Sequence, residues 1–192
     1  LQSTGFPYSD ATLLNNGKLA LAPFKVNNVG IYHPVANSFV EGPPHDQGQD
    51  AFWGAPSLPD GRVVFVPSKS PIVGIYDPED KTDGENGSFV DGPSHGRGNY
   101  GYRGATVLSN GNVVFAPYLA SVVGIYDPGA NAWINGPNHN IADYSRVFDG
   151  AVTLSDDRVV FVPHSSSFVG IYDPNDDTDG SSGTFLKGPE HG

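Results

Sequence analysis

The chain has 192 residues, with 25 glycines, 17 prolines, no cysteine, no methionine and a formal charge of −11. Without cysteine there is neither a disulfide framework nor a thiol nucleophile, and the negative charge argues against nucleic acid or an anionic membrane surface as partner. No stretch approaches the roughly 20 apolar residues that span a bilayer, so no membrane insertion is expected.

The apolar residues fall in short β-branched and aromatic runs separated by turn residues, the pattern of a turn-rich all-β domain. The first run, residues 11–14, reads as a strand of small residues. Asn16-Gly17 then predicts a two-residue hairpin, because both residue types tolerate positive φ. The second strand, residues 19–22, is continuously apolar; lacking alternation, it is expected to be buried on both faces. Pro23 ends it, having no N–H to donate to a ladder. A polar loop leads to a third strand through Gly30, Ile31 and Tyr32, and His33-Pro34 turns the chain. The fourth strand, residues 38–41, closes at Gly42-Pro43.

The same order then recurs three times. Gly-Ile-Tyr-(Asp/His)-Pro starts at Gly30, Gly74, Gly124 and Gly170, with its tyrosines spaced by 44, 50 and 46 residues. First strands are expected at 55–58, 105–108 and 151–154, and turns at Asp60-Gly61, Asn110-Gly111 and Asp156-Asp157. Second strands follow at 63–66, 113–116 and 159–162, and fourth strands at 88–91, 132–135 and 184–187. Four short antiparallel strands in about 48 residues is the period of a propeller blade. The expected fold is therefore all-β: one domain over 1–192, a β-propeller of four four-stranded antiparallel blades at about 10–44, 54–94, 104–138 and 150–190.

The segment LSNGNVVFAPYLASVVGIYDPGANAWINGP, starting at Leu108, resembles a kelch repeat in its hairpin turn, hydrophobic strand, Tyr-Asp-Pro and fourth-strand aromatic. The resemblance extends over all four units, with one departure: Ala-Pro or Val-Pro replaces the kelch double glycine after the second strand. FDGAVTLSDDRVVFV, starting at Phe148, is similar over a shorter stretch to hemopexin-like four-bladed propellers. Both resemblances imply a propeller. Four blades closing on themselves, two chains forming an eight-bladed ring, and a longer array are the three ways to cover the end blades. The chain begins at Leu1, so a processed N-terminus, compatible with secretion or an organelle lumen, or a longer polypeptide is expected.

Repeats 2 and 4 carry long insertions after Asp-Pro, residues 79–87 and 175–183, where repeats 1 and 3 have three residues. Within the second insertion Asn175, Asp177, Asp179 and Gly180 match the first half of an EF-hand loop, which makes calcium a candidate cofactor. The match is incomplete, since Leu186 stands where the bidentate Glu belongs and Lys81 occupies a ligand position of the sister loop. Gly-Pro-x-His recurs at His45, His95, His139 and His191. Its place after the outer strand predicts that each imidazole hydrogen-bonds the backbone of its own connector instead of joining a metal ring. Tyr8, Phe52, Tyr102 and Phe148 recur before the first strands and are expected to pack between blades.

Variation inside a strict repeat marks where specificity is built, because loops on a rigid scaffold carry function. The residue after each recurring aromatic varies (Ser9, Trp53, Arg103, Asp149), as does the loop after each second strand (Phe24, Ser68, Tyr118, His164). Trp53, Arg103, Asp149, Tyr118 and His164 are accordingly the contact candidates, on one face around the channel mouth. No catalytic residue is assigned: there is no Gly-x-Ser-x-Gly, phosphate loop or zinc motif, and no cysteine for the cofactor of kelch-related galactose oxidase. The expected function is a non-catalytic binding or assembly module for a protein partner or a larger complex. Its alternatives are a lectin-like carbohydrate-binding propeller and a hydrolase or lyase using a histidine or carboxylate at the channel mouth.

Overall fold

The computed structural model describes residues 5–141, 146–178 and 182–191. The described residues are all-β, without a helix, and form four antiparallel sheets. In chain order the strands are β1 (Tyr8–Leu13), β2 (Leu19–Pro23), β3 (Asn28–His33), β4 (Ser38–Pro44), β5 (Val63–Phe65), β6 (Ile72–Asp77), β7 (Ser88–Ser94) and β8 (Tyr102–Val107). They continue as β9 (Val113–Pro117), β10 (Val122–Asp127), β11 (Ala132–Asn138), β12 (Phe148–Thr153), β13 (Val159–Pro163), β14 (Phe168–Asp173) and β15 (Thr184–Glu190). Each sheet is a meander of sequential neighbours, as in a propeller blade. The chain divides into two compact units, Leu1–Ser94 with blades 1 and 2 and His95–Gly192 with blades 3 and 4.

The structure corrects three expectations. Blade 2 has three strands, β5–β7, where four were expected. Pro56 lies in its first segment and has no N–H, so the ladder is reduced to the isolated bridges Phe52↔Pro67 and Ser57↔Val63. The segment is still tied down, by Trp53 N–H to Val66 O (2.8 Å) and Val64 N–H to Pro56 O (2.9 Å).

The hairpin turns hold three residues, not two. Gly17 N–H donates to Leu14 O at 2.9 Å and Leu14 N–H to Lys18 O at 2.8 Å. Only the third loop residue is left-handed: Gly17, Gly61, Gly111 and, in the last copy, Asp157 at φ +68°. That is a type I turn followed by a bulge residue, which needs one positive φ instead of two. Burial of the second strand on both faces holds for β5 and β9, whereas β2 and β13 each leave one face partly open.

One code builds both cores. Blade 1 contributes Leu14, Ala20, Ala22, Val29 and Ile31, and blade 2 answers with Phe52, Val63, Phe65 and Tyr76. In the second unit Leu108, Val114, Ala116, Val123 and Ile125 meet Phe148, Val159, Phe161 and Tyr172. Each fully buried aromatic of this kind contributes about 1.5–3 kcal/mol. The recurring aromatic also stacks inside its own blade: Phe52 lies 5.7 Å from Phe65 and 5.9 Å from Phe89, and Phe148 lies 5.4 Å from Phe161. The ring covers the glycine of Val-Gly-Ile-Tyr. A Cβ on Gly74 would meet Phe52 Cζ at 2.8 Å, and one on Gly170 would meet Phe148 Cζ at 2.5 Å. The repeated glycine therefore makes room for a ring.

Candidate functional site

A β-bulge opens the first strand of blades 1, 3 and 4, with register shifts between Tyr8 and Ala11, Tyr102 and Ala105, and Phe148 and Gly150. Bulges re-aim side chains away from the sheet, and the variable residues Ser9, Arg103 and Asp149 lie in them. Their side chains are thereby released from the packing code that fixes their neighbours. In blades 3 and 4 the two bulged strands run close together: a Cβ on Gly104 (φ +68°) would stand 2.7 Å from Gly150 Cα. Thr106 and Thr153 join the same strands through their hydroxyls at 2.8 Å.

The loops carrying the other candidates are held by the repeated histidines. His139 Nε2 donates to Ala120 O at 2.9 Å while its Nδ1 accepts the N–H of Ile141 at 3.1 Å. His45 bonds Val26 O (2.9 Å) and the N–H of Gln47 (3.0 Å) in the same way, and His191 reaches Ser166 O at 3.0 Å. An Nδ1 facing an N–H donor has no room for a second proton. Burial pushes the imidazoles of His45 and His139 below their ordinary pKa, and both are neutral staples. His45 and His139 bond their own connectors, as expected, and all three bond the loop after their blade's second strand. Tyr118 O further accepts the N–H of Val147 at 2.9 Å, clamping that loop to the next blade.

This framework brings four of the five candidates together in the second unit. Asp149 Oδ1 accepts from Arg103 at 3.4 Å. The Arg103 guanidinium lies over the Tyr118 ring, 4.0 Å from its centroid. Such a stack contributes about 0.5–2 kcal/mol. The His164 imidazole meets Tyr118 edge-on at 5.5 Å and 89°, with Nδ1 3.0 Å from Ser165 Oγ. Tyr118 itself is buried, so it is the platform of the cluster. His164 is exposed and Arg103 and Asp149 are partly so, placing an imidazole, a guanidinium and a carboxylate around one ring.

Trp53 belongs to the first unit, where it packs edge-on against Phe24 at 4.9 Å and 88°. Of the calcium candidates, Asp177 Oδ1 accepts the N–H of Ser182 at 3.0 Å, Asn175 N–H bonds Asp173, and Asp179 lies outside the described residues. Among the described residues no group of three His, Asp or Glu side chains is arranged to hold a metal ion. Two open grooves were not anticipated. One, about 480 Å³, is lined by Gly96, Arg97, Leu119, Ala120 and Ser121. The other, about 500 Å³, is lined by His45, Asp46, Gln47, Asp83, Phe89 and Asp91, with Pro44. Arg97 and Gln47 stand in corresponding connector positions, and that pairing of two long polar side chains was the available signal.

The fold is a β-propeller, and solved structures agree. Virginiamycin B lyase from Staphylococcus aureus matches 98% of this chain and 57% of its own at 12% identity, TM-score 0.76. A streptogramin B lyase matches 96% of this chain and 56% of its own at 16% identity, TM-score 0.69. A catalytically inactive histidine-to-alanine variant of the Staphylococcus aureus enzyme with quinupristin matches 98% and 72% at 13% identity, TM-score 0.54. The chain thus spans little more than half the length of the first two. No family model and no curated protein matches the sequence.

These identities carry the fold and no activity. They do correct the expectation of a non-catalytic module, because the first two of these solved propellers are lyases, which favours the lyase alternative.

Proposed function

We propose that this chain carries part of the active site of a lyase-class propeller of divergent kelch type, with His164 as proton carrier. The observation that carries this reading is the cluster of Asp149, Arg103, Tyr118 and His164. With Nδ1–H donated to Ser165 Oγ, the exposed Nε2 of His164 holds the lone pair of a general base. It takes a proton from carbon next to a substrate carbonyl. The C–H electron pair becomes a double bond as the bond to the β-heteroatom breaks, and the leaving group departs with its electrons. Negative charge develops on the carbonyl oxygen, for which the Arg103 guanidinium is the available donor. Asp149 and the Tyr118 ring hold that guanidinium in place. A positioned base of this kind contributes about 10²–10⁴-fold. The inactive histidine variant of the Staphylococcus aureus lyase supports a histidine-dependent reaction in this class.

Quinupristin is the first substrate to try, followed by chromatography and mass spectrometry. Elimination leaves products of the same total mass as the substrate, whereas hydrolysis adds one water. Turnover without added mass, reduced about 100-fold or more by His164→Ala, is expected. No turnover, or turnover indifferent to His164→Ala, refutes the assignment.

A further inference from the structure

We propose that the groove beside Arg97 binds the carboxylate of a small aliphatic acid, at a site apart from the Tyr118 cluster and independent of the lyase reading. The groove, about 480 Å³, lies between the connector that enters blade 3 and the loop after that blade's second strand, β9. Arg97 is half-buried in its lining. The Nε–H of Arg97 donates to Asn135 Oδ1 at 3.2 Å, and the same oxygen accepts the Nε1–H of Trp133 at 3.0 Å. The indole lies over Gly124 and 5.2 Å from the buried Tyr102 ring, so the amide that holds the guanidinium is itself anchored in the blade core. The two terminal nitrogens of the fork make no hydrogen bond or ion pair among the described residues.

Arg97 is thus held by a neutral group. Arg62, Arg103 and Arg158 each pair with an aspartate, at 2.7, 3.4 and 2.8 Å. The rim of blade 2 shows what the same repeat positions do elsewhere. Asp46, Gln47, Asp50, Lys69 and Asp91 stand there where blade 3 has Gly96, Arg97, Tyr100, Leu119 and Asn135. Gln47 Nε2 donates to Asp91 Oδ1 at 3.2 Å, and Lys69 pairs with Asp50 at 2.7 Å. Blade 3 keeps the bond between connector and outer strand but changes both partners, glutamine to arginine and aspartate to asparagine. The three rim carboxylates are gone where a cation has arrived, in a chain with 21 acidic residues and 10 basic ones. An arginine kept for structure would have used the aspartate of blade 2 as its ion-pair partner. The charge of Arg97 is left for a ligand.

The remaining lining selects the kind of anion. A guanidinium is a planar fork that matches a carboxylate with two parallel hydrogen bonds. Leu119, 40% exposed, and Ala120 add apolar surface beside it. Ser121 Oγ, which makes no hydrogen bond among the described residues, is a second donor. An inorganic oxyanion would leave the apolar side chains uncovered, whereas the hydrocarbon body of an aliphatic acid covers them.

Titration of the ¹⁵N-labelled full chain with 4-methylpentanoate from about 0.1 to 20 mM, followed by NMR, tests this over the range expected of a small, weak ligand. Saturable shifts of the Arg97 Nε–H and the Trp133 Nε1–H are expected. The neutral twin 4-methylpentanol and inorganic phosphate should each bind at least about 10-fold more weakly. Arg97→Gln removes the cation, and Asn135→Asp leaves the guanidinium in place but neutralises it; each is expected to weaken binding about 10-fold or more, read at Trp133. The dispersion of the same spectra reports that both variants are folded. No saturation by the native chain, the alcohol or phosphate binding as well as the acid, or either folded variant binding like the native chain overturns the proposal.

Discussion

Gly74→Ala separates a glycine kept for space from one kept for backbone freedom. Gly74 has no positive φ, so alanine there loses nothing in backbone conformation. By restricting the unfolded chain, the change is worth about 0.4–1 kcal/mol of stabilisation where nothing obstructs it. Here the new methyl would meet Phe52 Cζ at 2.8 Å and Phe89 Cε2 at 3.0 Å, and Phe52 is wholly buried. Overpacking of that kind costs about 1–3 kcal/mol. The net expectation is destabilisation of up to roughly 2.5 kcal/mol, read as a lower urea midpoint at unchanged slope.

Gly30→Ala supplies the internal control. Its methyl would meet Tyr8 at the same 2.8 Å, but Tyr8 is only half-buried and has solvent to move into, so its loss should be the smaller. Gly74→Ala that is stabilising, or that costs less than Gly30→Ala, refutes the ring-on-glycine account of the repeat.

Asp157 takes the left-handed turn position held by glycine in the other copies, and its carboxylate accepts both the N–H and the hydroxyl of Ser109. Asp157→Gly relieves about 1 kcal/mol of backbone strain but gives up those bonds. It should therefore stabilise less in the native background than beside Ser109→Ala, with a double-mutant coupling of about 0.5–1.5 kcal/mol. The neutral staples His45 and His139 have native pKa values lowered by burial, so the unfolded chain binds their protons more readily. Their contribution is complete above the free-imidazole value near 6.5 and is lost as pH falls from there through the lowered native value. Urea midpoints should fall on acidification in that window, and His139→Gln should flatten the fall; a midpoint that rises contradicts the assignment. Tyr118→Leu removes the platform under Arg103 and should lower any kcat/KM about 10-fold, with Tyr118→Phe close to native.

The repeat, its blade order and the all-β fold were legible in the sequence because they rest on local signals: turn residues, apolar runs and fixed spacing. Pro56 was visible, yet its effect on blade 2 depends on which N–H groups the partner strand needs, and that is a matter of register. Asn-Gly marks a hairpin without fixing whether one or two residues are left-handed. The partial exposure of β2 and β13 was hidden for another reason: the same apolar run is buried or open according to what covers it. Of the site candidates, Arg103, Asp149, Tyr118 and His164 were selected only for varying within the repeat. That criterion also selected Trp53, which serves a different unit, and it missed Arg97 and Gln47 because connectors read as scaffold.

Variation marked neighbouring positions because of how the blade is wired. Every side chain of the shared code is committed: aromatics cover glycines, aliphatics meet the next blade, and histidines staple loops. A substitution at any of these costs stability, so none is free to become chemistry. The residue after the recurring aromatic and the loop residue after the second strand escape that commitment, and the backbone brings the loop of one blade against that residue of its successor. The backbone bonds repeat to prove the point, Phe24 O accepting from Ala51 as Tyr118 O does from Val147. The same geometry then yields an aromatic pair, Phe24 with Trp53, in one unit and a charged cluster around Tyr118 in the other. The scaffold thus sets where these side-chain clusters lie, and two residues per blade set their chemistry.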